Sequence, residues 1–211
     1  MGRPSRPAAA LAAASIAAAV AACGSLPTEG ETAARGWAAG PVRWLLLPEE
    51  ERTLAGITSS GELAAFLQEF WRRRDDDPST PDISSARRFQ ERVAAADSLY
   101  GEGKTRGSLT ARGGALILLG PPAMLRYTSR RVPVYNPRQA TAATRATQQL
   151  TLEIWVYRGD ELPLQLRQAL GIGSQEELSL SFLMERRRSS LVEGRELLAA
   201  AARAWVYAPS P

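Results

Sequence analysis

Apolar residues in the first half of the chain recur at the three- and four-residue spacing of one helix face. A capping box formed by Ser59 and Glu62 predicts where the longest of these helices begins. Its apolar stripe consists of Leu63, Phe66, Leu67, Phe70 and Trp71. Before it, Pro48 and three glutamates predict a short helix over residues 48–54, because carboxylates are favoured at the positive end of a helix dipole. Residues 42–47 are largely apolar and fit either a strand or a buried extended segment.

Two further helices are predicted from cap-like sequences. Thr80-Pro81-Asp82 resembles an N-cap followed by proline in the first helical position. The apolar face of the helix that follows consists of Phe89, Val93, Ala96 and Tyr100. Ser190 and Glu193 match a second capping box, which predicts a closing helix. Its apolar face consists of Leu191, Leu198, Ala202 and Trp205.

Strand patterns dominate the second half of the chain. Residues 151–157 and 178–184 alternate side chains between two faces, which is typical of antiparallel strands with one buried face. The side chains predicted to face the core in the second strand are Leu178, Leu180, Phe182 and Met184. Residues 116–119 are wholly apolar and predict a central strand. Residues 163–170 predict a helical turn ended by Gly171. This order predicts an α+β fold with N-terminal helices, a small, mainly antiparallel sheet and a C-terminal helix.

Segments without periodicity divide the rest of the chain. Residues 24–36 are rich in Gly, Thr, Glu and Pro, so residues 23–41 are predicted to be a flexible tether. Residues 126–149 are rich in Thr, Ala and Arg and are predicted to be a long, mobile basic loop. We therefore expect a single domain over residues 42–207 and a short tail over residues 208–211.

The N-terminus has the features of an export signal. Arg3 and Arg6 precede an apolar stretch that ends in small residues directly before Cys23. This pattern resembles the lipobox of bacterial lipoproteins, which implies a lipoprotein signal peptide over residues 1–22 and lipidation of Cys23. An ordinary signal peptide or an uncleaved anchor is the alternative, although the apolar stretch is shorter than the ~20 residues that span a bilayer. Gly24 follows the cysteine, which by the same resemblance favours the outer membrane, on its periplasmic face.

Composition excludes several kinds of chemistry. The chain of 211 residues has no histidine and one cysteine. A Ser-His-Asp triad and a Cys/His zinc site are therefore excluded, and no thiol remains once Cys23 carries lipid. Gly103-Lys104-Thr105 lacks the rest of a phosphate-binding loop, and no nucleophile elbow is present. No cofactor is expected.

Charge is unevenly distributed along the chain. No acidic residue occurs from Gly103 to Leu152, and this stretch is basic. Such a segment attracts anions, including lipid headgroups and other anionic envelope components. The candidate contacts to an anion or partner are Arg126, Arg130, Arg131 and Arg138. The alternative is that these arginines pair with acidic residues of the same domain or are simply solvated. Nucleic acid is not an expected partner, because no aromatic platform alternates with the arginines.

The central part of the chain resembles a bacterial family of unknown biochemical function, the GWxTD-domain proteins. The matching segments, in order, are Trp44-Leu45-Leu46-Leu47-Pro48-Glu49-Glu50, Phe66 to Asp75, Thr80-Pro81 with Phe89, Leu116 to Pro122, and Glu153-Ile154-Trp155-Val156-Tyr157. The similarity covers residues 42–157. The naming motif is degenerate and corresponds to Gly107-Ser108-Leu109-Thr110-Ala111, with serine in place of the tryptophan and alanine in place of the aspartate. The resemblance supplies no catalytic residues.

Carboxylates between the first and second predicted long helices are the remaining chemical candidates. Asp75 and Asp77 lie in a loop, where oxygen ligands suit Ca²⁺, although no calcium-loop spacing is present. A carboxylate pair near Asp75 also fits hydrolysis of cell-wall glycan. Trp71 and Trp155 fit either a ligand groove or the core.

We therefore expect a lipid-anchored envelope protein that acts as a non-enzymatic binding or assembly module in the periplasm. The membrane would be its first partner through the lipid, and an envelope protein or anionic envelope component its second. The alternative is a cell-wall hydrolase that uses the carboxylates near Asp75.

Overall fold

In the computed structural model, the described residues are 27–75, 84–133, 147–185 and 188–206. Over these residues the chain forms seven helices and a four-stranded antiparallel sheet, which confirms the α+β prediction. The helices are α1 (Glu29–Ala38), α2 (Pro48–Ala55), α3 (Ser60–Arg72), α4 (Ser84–Leu99), α5 (Ala111–Leu119), α6 (Leu164–Leu170) and α7 (Arg195–Ala204). The strands are β1 (Met124–Pro133), β2 (Thr147–Arg158), β3 (Glu177–Glu185) and β4 (Arg188–Glu193).

Helix α1 corrects the prediction of a flexible tether over residues 23–41. Thr28 caps this helix and forms a capping box with Glu31, and the Thr28 hydroxyl donates to the Thr58 carbonyl at 2.6 Å. Ala34 is buried, and Trp37 packs edge-to-face on Phe70 with 5.0 Å between ring centroids. The Gly, Thr and Pro content of this segment is typical of a flexible chain. Thr28 and Glu31 nevertheless form a local cap, and the helix that it begins has an apolar stripe.

Helices α2, α3 and α4 agree with the sequence patterns. The Ser59 hydroxyl accepts from the Glu62 backbone N–H at 3.2 Å, which confirms the predicted capping box. The residues before α2 form a 3₁₀ turn, Pro41–Trp44, and then a buried Leu45–Leu47 segment, so the strand alternative for residues 42–47 is wrong. The predicted cap at Thr80 lies outside the described residues.

Helix α5 replaces the central strand predicted over residues 116–119. Thr110 caps it by accepting from the Gly113 N–H at 3.1 Å, and the helix is buried from Gly113 to Leu119. Its carbonyl end is also satisfied, because the indole N–H of Trp205 donates to the Leu118 carbonyl at 3.0 Å. A helix that is apolar on all sides has no helical periodicity to detect. The two glycines in its first turn also disfavour a helix by propensity alone.

The sheet has the order β1-β2-β3-β4, with antiparallel neighbours throughout. Strands β1 and β2 form a long hairpin through residues that were predicted to be a loop, so that prediction is wrong for residues 126–133 and 147–149. The strand predicted over residues 151–157 is confirmed, and its core face is Glu153, Trp155 and Tyr157, although Val156 on the opposite face is also buried. Leu180 and Phe182 face the core from β3 as predicted, and both are fully buried.

The predicted capping box at Ser190 and Glu193 is wrong. These residues belong to β4, and α7 begins after Gly194, whose φ of 93° is a left-handed conformation that favours glycine. Leu198, Ala202 and Trp205 form the buried face of α7 as predicted, whereas Leu191 lies on β4. Helix α6 ends at Gly171 in agreement with the sequence. Within the described residues, no helix is long and apolar enough to cross a membrane.

Candidate functional site

Residues 107–110, within the segment that resembles the naming motif, form a tight turn, hereafter the motif turn, followed by a helix cap. Gly107–Leu109 is a 3₁₀ turn, and Thr110 is the N-cap of α5. The indole N–H of Trp44 donates to the Ser108 carbonyl at 2.8 Å, and the Ser108 N–H donates to Asp97 Oδ1 at 2.8 Å. The turn therefore connects the Pro41–Trp44 segment, α4 and α5. These contacts give the motif a structural role.

Asp97 is held ionised by this turn. Burial opposes ionisation of its carboxylate, but hydrogen bonds from Ser108 and the ion pair with Arg106 outweigh that effect and place the pKa of Asp97 below its usual range. Arg106 belongs to the basic stretch between Gly103 and Leu152. One cation of this stretch therefore pairs with an acidic residue of the same domain, in agreement with the alternative to an anion-binding role.

A largely buried ionic network lies beside the turn. Arg112 contacts Glu153 with 3.3 Å between Nη1 and Oε2, and Glu102 with 3.6 Å between Nη2 and Oε1. The Trp155 indole N–H donates to the other oxygen of Glu153 at 2.6 Å. Arg112 also stacks over Tyr100, 5.1 Å from its ring centroid. Burial, followed by the negative charge of Glu153, raises the pKa of Tyr100. The network thus links α5 to the core face of the sheet.

Next to this network, a cleft of about 750 Å³ opens between residues 43–49, α5, β4 and α7. Aliphatic side chains form most of its wall. The leucines among the described lining residues are Leu46, Leu47, Leu109, Leu118, Leu191 and Leu198. Its volume lies within the range of about 300–1,000 Å³ that is usual for small-molecule sites. The cleft is the candidate functional site.

The edge of the cleft is positively charged. Arg43, Arg195 and Arg203 line it and are exposed, and Glu49 is the acidic residue among the described lining residues. The guanidinium of Arg43 lies 5.0 Å from the centre of the Trp44 ring. Within the described part of the chain, none of the three arginines forms an ion pair. Their donors are therefore available to an anionic ligand.

The motif turn and the ionic network hold the walls of the cleft in place. Ala111, the first residue of α5, lines the cleft. Ser189 lines it from β4, and its backbone N–H donates to Glu102 Oε1 at 3.0 Å. Glu102 therefore contacts both the β4 wall and Arg112 of α5.

Asp75, the candidate hydrolytic carboxylate that the structure describes, does not line this cleft. Asp75 is half-buried at the end of α3, and Asp77 lies outside the described residues. No group of three or more acidic, histidine or cysteine side chains able to hold a metal occurs among the residues that the structure describes. Arg74 is fully buried against Glu50, and Trp71 packs on Phe89 with 5.4 Å between ring centroids. Trp155 is also fully buried.

The four candidate arginines of the basic stretch lie on or beyond strand β1. Arg126 pairs across the sheet with Glu177, at 3.7 Å between Nη2 and Oε2, and both side chains are about half exposed. Arg131 is exposed on the edge strand. Arg130 belongs to β1, and its side chain lies outside the described set, as do Arg138 and Cys23. Arg126 and Arg131, the two whose side chains are described, do not line the cleft.

Sequence reasoning missed the cleft residues. Comparison of the chain with known protein families, curated proteins and solved structures finds no match. The assignment of a site therefore rests on the geometry described above.

Proposed function

We propose that the protein is a lipid-anchored envelope protein that binds an anionic envelope component in the cleft and catalyses no reaction. The anchor is Cys23, at the end of a sequence that resembles a lipobox, and the proposed location is the periplasmic face of the outer membrane. The resemblance to GWxTD-domain proteins remains part of this proposal, with the motif turn in a structural role. The absence of histidine in the sequence supports binding over catalysis.

The observation that carries the proposal is the combination of an apolar wall with an arginine edge. A concave apolar site with a few convergent polar groups is the usual form of a ligand site. Arginine presents a planar fork of donors that matches carboxylate and phosphate groups. Arg195 and Arg203 both belong to α7, so one helix supplies two of the three cations.

The anchor predicts a covalent lipid on Cys23. In cells supplied with radiolabelled palmitate, the full chain is expected to become labelled and to fractionate with membranes, because acylation of Cys23 attaches it to the bilayer. Cys23→Ala removes the only thiol and is expected to abolish the label. Labelling of the alanine variant to the same extent would contradict the assignment.

The cleft predicts a site-specific contact in the native envelope. A photo-crosslinking amino acid at Ser190, which lines the cleft and is exposed, is expected to form an adduct with the ligand. The same amino acid at Ala94, exposed on α4 and outside the cleft, is the matched control. Mass spectrometry of the purified chain reads the adduct. Equal adducts at both positions, or none at Ser190, would count against a cleft ligand.

A further inference from the structure

We infer that the cleft binds a long-chain fatty acid, with the acyl chain along the leucine wall and the carboxylate at the arginine edge. This inference rests on the proposed function and names the chemistry of the ligand. It follows from three properties of the cleft: the character of its wall, the charge of its edge and its size.

The wall favours an aliphatic occupant over a peptide. Two of the elements around the cleft, α5 and α7, are helices whose interior backbone groups bond within the helix. A buried peptide needs partners for each backbone N–H and C=O. The wall offers mainly Leu and Ala side chains, which supply none. A hydrocarbon chain has no such requirement and gains from leaving water.

The edge specifies the head group. Three exposed arginines against Glu49 give the edge of the cleft a positive balance, so an anion is favoured there. Arg195 and Arg203 are eight residues apart on α7, which corresponds to about 12 Å along the helix axis. A carboxylate at one end of an extended amphiphile is therefore in reach of a cation whichever end of α7 it approaches.

The size of the cleft favours one chain. A volume of about 750 Å³ is that of a site for a single small molecule and not of a groove for a large partner. Among anionic amphiphiles, a fatty acid combines one acyl chain with the smallest head group. It therefore has an apolar chain for the wall and a carboxylate for the edge, and no further group that needs a binding partner.

Trp44 supplies a direct readout, because its side chain lines the cleft and is half-buried. The experiment uses the full chain carrying Cys23→Ala and titrates it with dibrominated stearate, whose bromines quench nearby tryptophans. We expect saturable quenching, most of which is lost in Trp44→Phe. The methyl ester of the same acid, which lacks the charge, is expected to bind about tenfold or more weakly, as for loss of a charged hydrogen bond.

Two pairs of variants separate the edge from the wall. Arg195→Ala with Arg203→Ala is expected to weaken binding about tenfold or more, whereas Arg35→Ala with Arg158→Ala, on exposed residues outside the cleft, leaves it unchanged. Ala199→Phe fills the cleft and is expected to abolish quenching, whereas Ala94→Phe on α4 is its matched control. Both phenylalanine variants lie at exposed helix positions, and circular dichroism verifies their folding.

The outcomes distinguish the ligand chemistry from the proposed function. Absence of saturable quenching, equal binding of the ester, or binding that survives Ala199→Phe would overturn the fatty-acid inference. If the Ser190 adduct nevertheless forms in the envelope, the cleft remains a binding site for another anionic component. If neither quenching nor a Ser190 adduct is observed, the inference and the proposed function both fail.

Discussion

Replacing Arg74 by alanine is expected to lower the free energy of unfolding by about 3–5 kcal/mol, the range measured when one partner of a buried ion pair is removed. Arg74 is fully buried and binds Glu50 through both guanidinium ends, at 2.7 Å for each of the two hydrogen bonds. It also donates to the carbonyls of Leu45 at 2.8 Å and Phe70 at 3.1 Å. The alanine variant therefore leaves a buried carboxylate and two buried carbonyls without this donor.

Urea denaturation of the full chain measures this effect, and a neighbouring arginine provides the control. Arg72 pairs with Glu69 through two hydrogen bonds of 2.6 and 2.7 Å, but both side chains are about half exposed. Arg72→Ala is expected to have little effect on the free energy of unfolding, as for other surface pairs. The double variant Glu50→Leu with Arg74→Met should recover part of the loss, since it removes the buried carboxylate together with its buried guanidinium partner, at the cost of the 3.5 Å contact between Arg73 Nη1 and Glu50 Oε1. Equal losses for Arg72→Ala and Arg74→Ala would show that burial does not govern this pair.

Replacing Gly107 by alanine is expected to destabilise the fold by about 3 kcal/mol, at the upper end of the usual range for overpacked sites. A Cβ atom built at Gly107 would lie 1.8 Å from the Ala96 carbonyl oxygen and 2.9 Å from the Asp97 Cα, and both are backbone atoms of α4 that cannot rotate away. Relief requires the motif turn to move from α4, which would also break the bond between Ser108 and Asp97.

Thermal denaturation of Gly107→Ala measures this cost, and Gly61→Ala is the matched control. Gly61 lies in the first turns of α3, and a Cβ atom there meets nothing within 4 Å. Because alanine is the better helix former, the control is expected to be neutral or more stable by up to about 1 kcal/mol. If Gly107→Ala behaves like the control, close packing does not explain the glycine of the motif.

Local signals were sufficient for part of the fold. The capping box at Ser59, the proline at the start of α2 and the glycine after α6 act through neighbours three or four residues away, so the sequence alone displays them. The α+β class followed from the order of such elements. Residues whose burial depended on one periodic face, such as Phe70 and Phe182, were also predictable.

Other parts depend on contacts that no local pattern contains. Helix α5 is buried all round, so its residues show no polar face, and a four-residue apolar run fits a strand equally well. The β1–β2 hairpin pairs Arg126 with Ile154 and Thr128 with Leu152, and its polar exposed strand has no apolar alternation to reveal it. In both cases tertiary contacts outweighed the local preference.

The candidate site was not predictable for the same reason. Arg43, Leu109 and Arg203 come from distant parts of the chain, and only the packing of α5 against α7 and β4 places them around one cleft. The basic stretch, by contrast, was conspicuous in the sequence but contributes internal ion pairs through Arg106 and Arg112. Charge density along the chain therefore did not distinguish the cations that pair internally from exposed ones such as Arg131.

The early start of helix α1 sets how far the domain stands from its proposed anchor. With a flexible tether over residues 23–41, a Gly-rich chain would have a root-mean-square span of about 25 Å. Because Thr28 already caps α1, only five residue steps separate it from Cys23, and covalent geometry limits these to about 18 Å. A lipid on Cys23 would therefore hold the start of α1 within about 18 Å of the bilayer. The end of the domain that carries α1 would then stay close to the membrane surface and could not range into the periplasm.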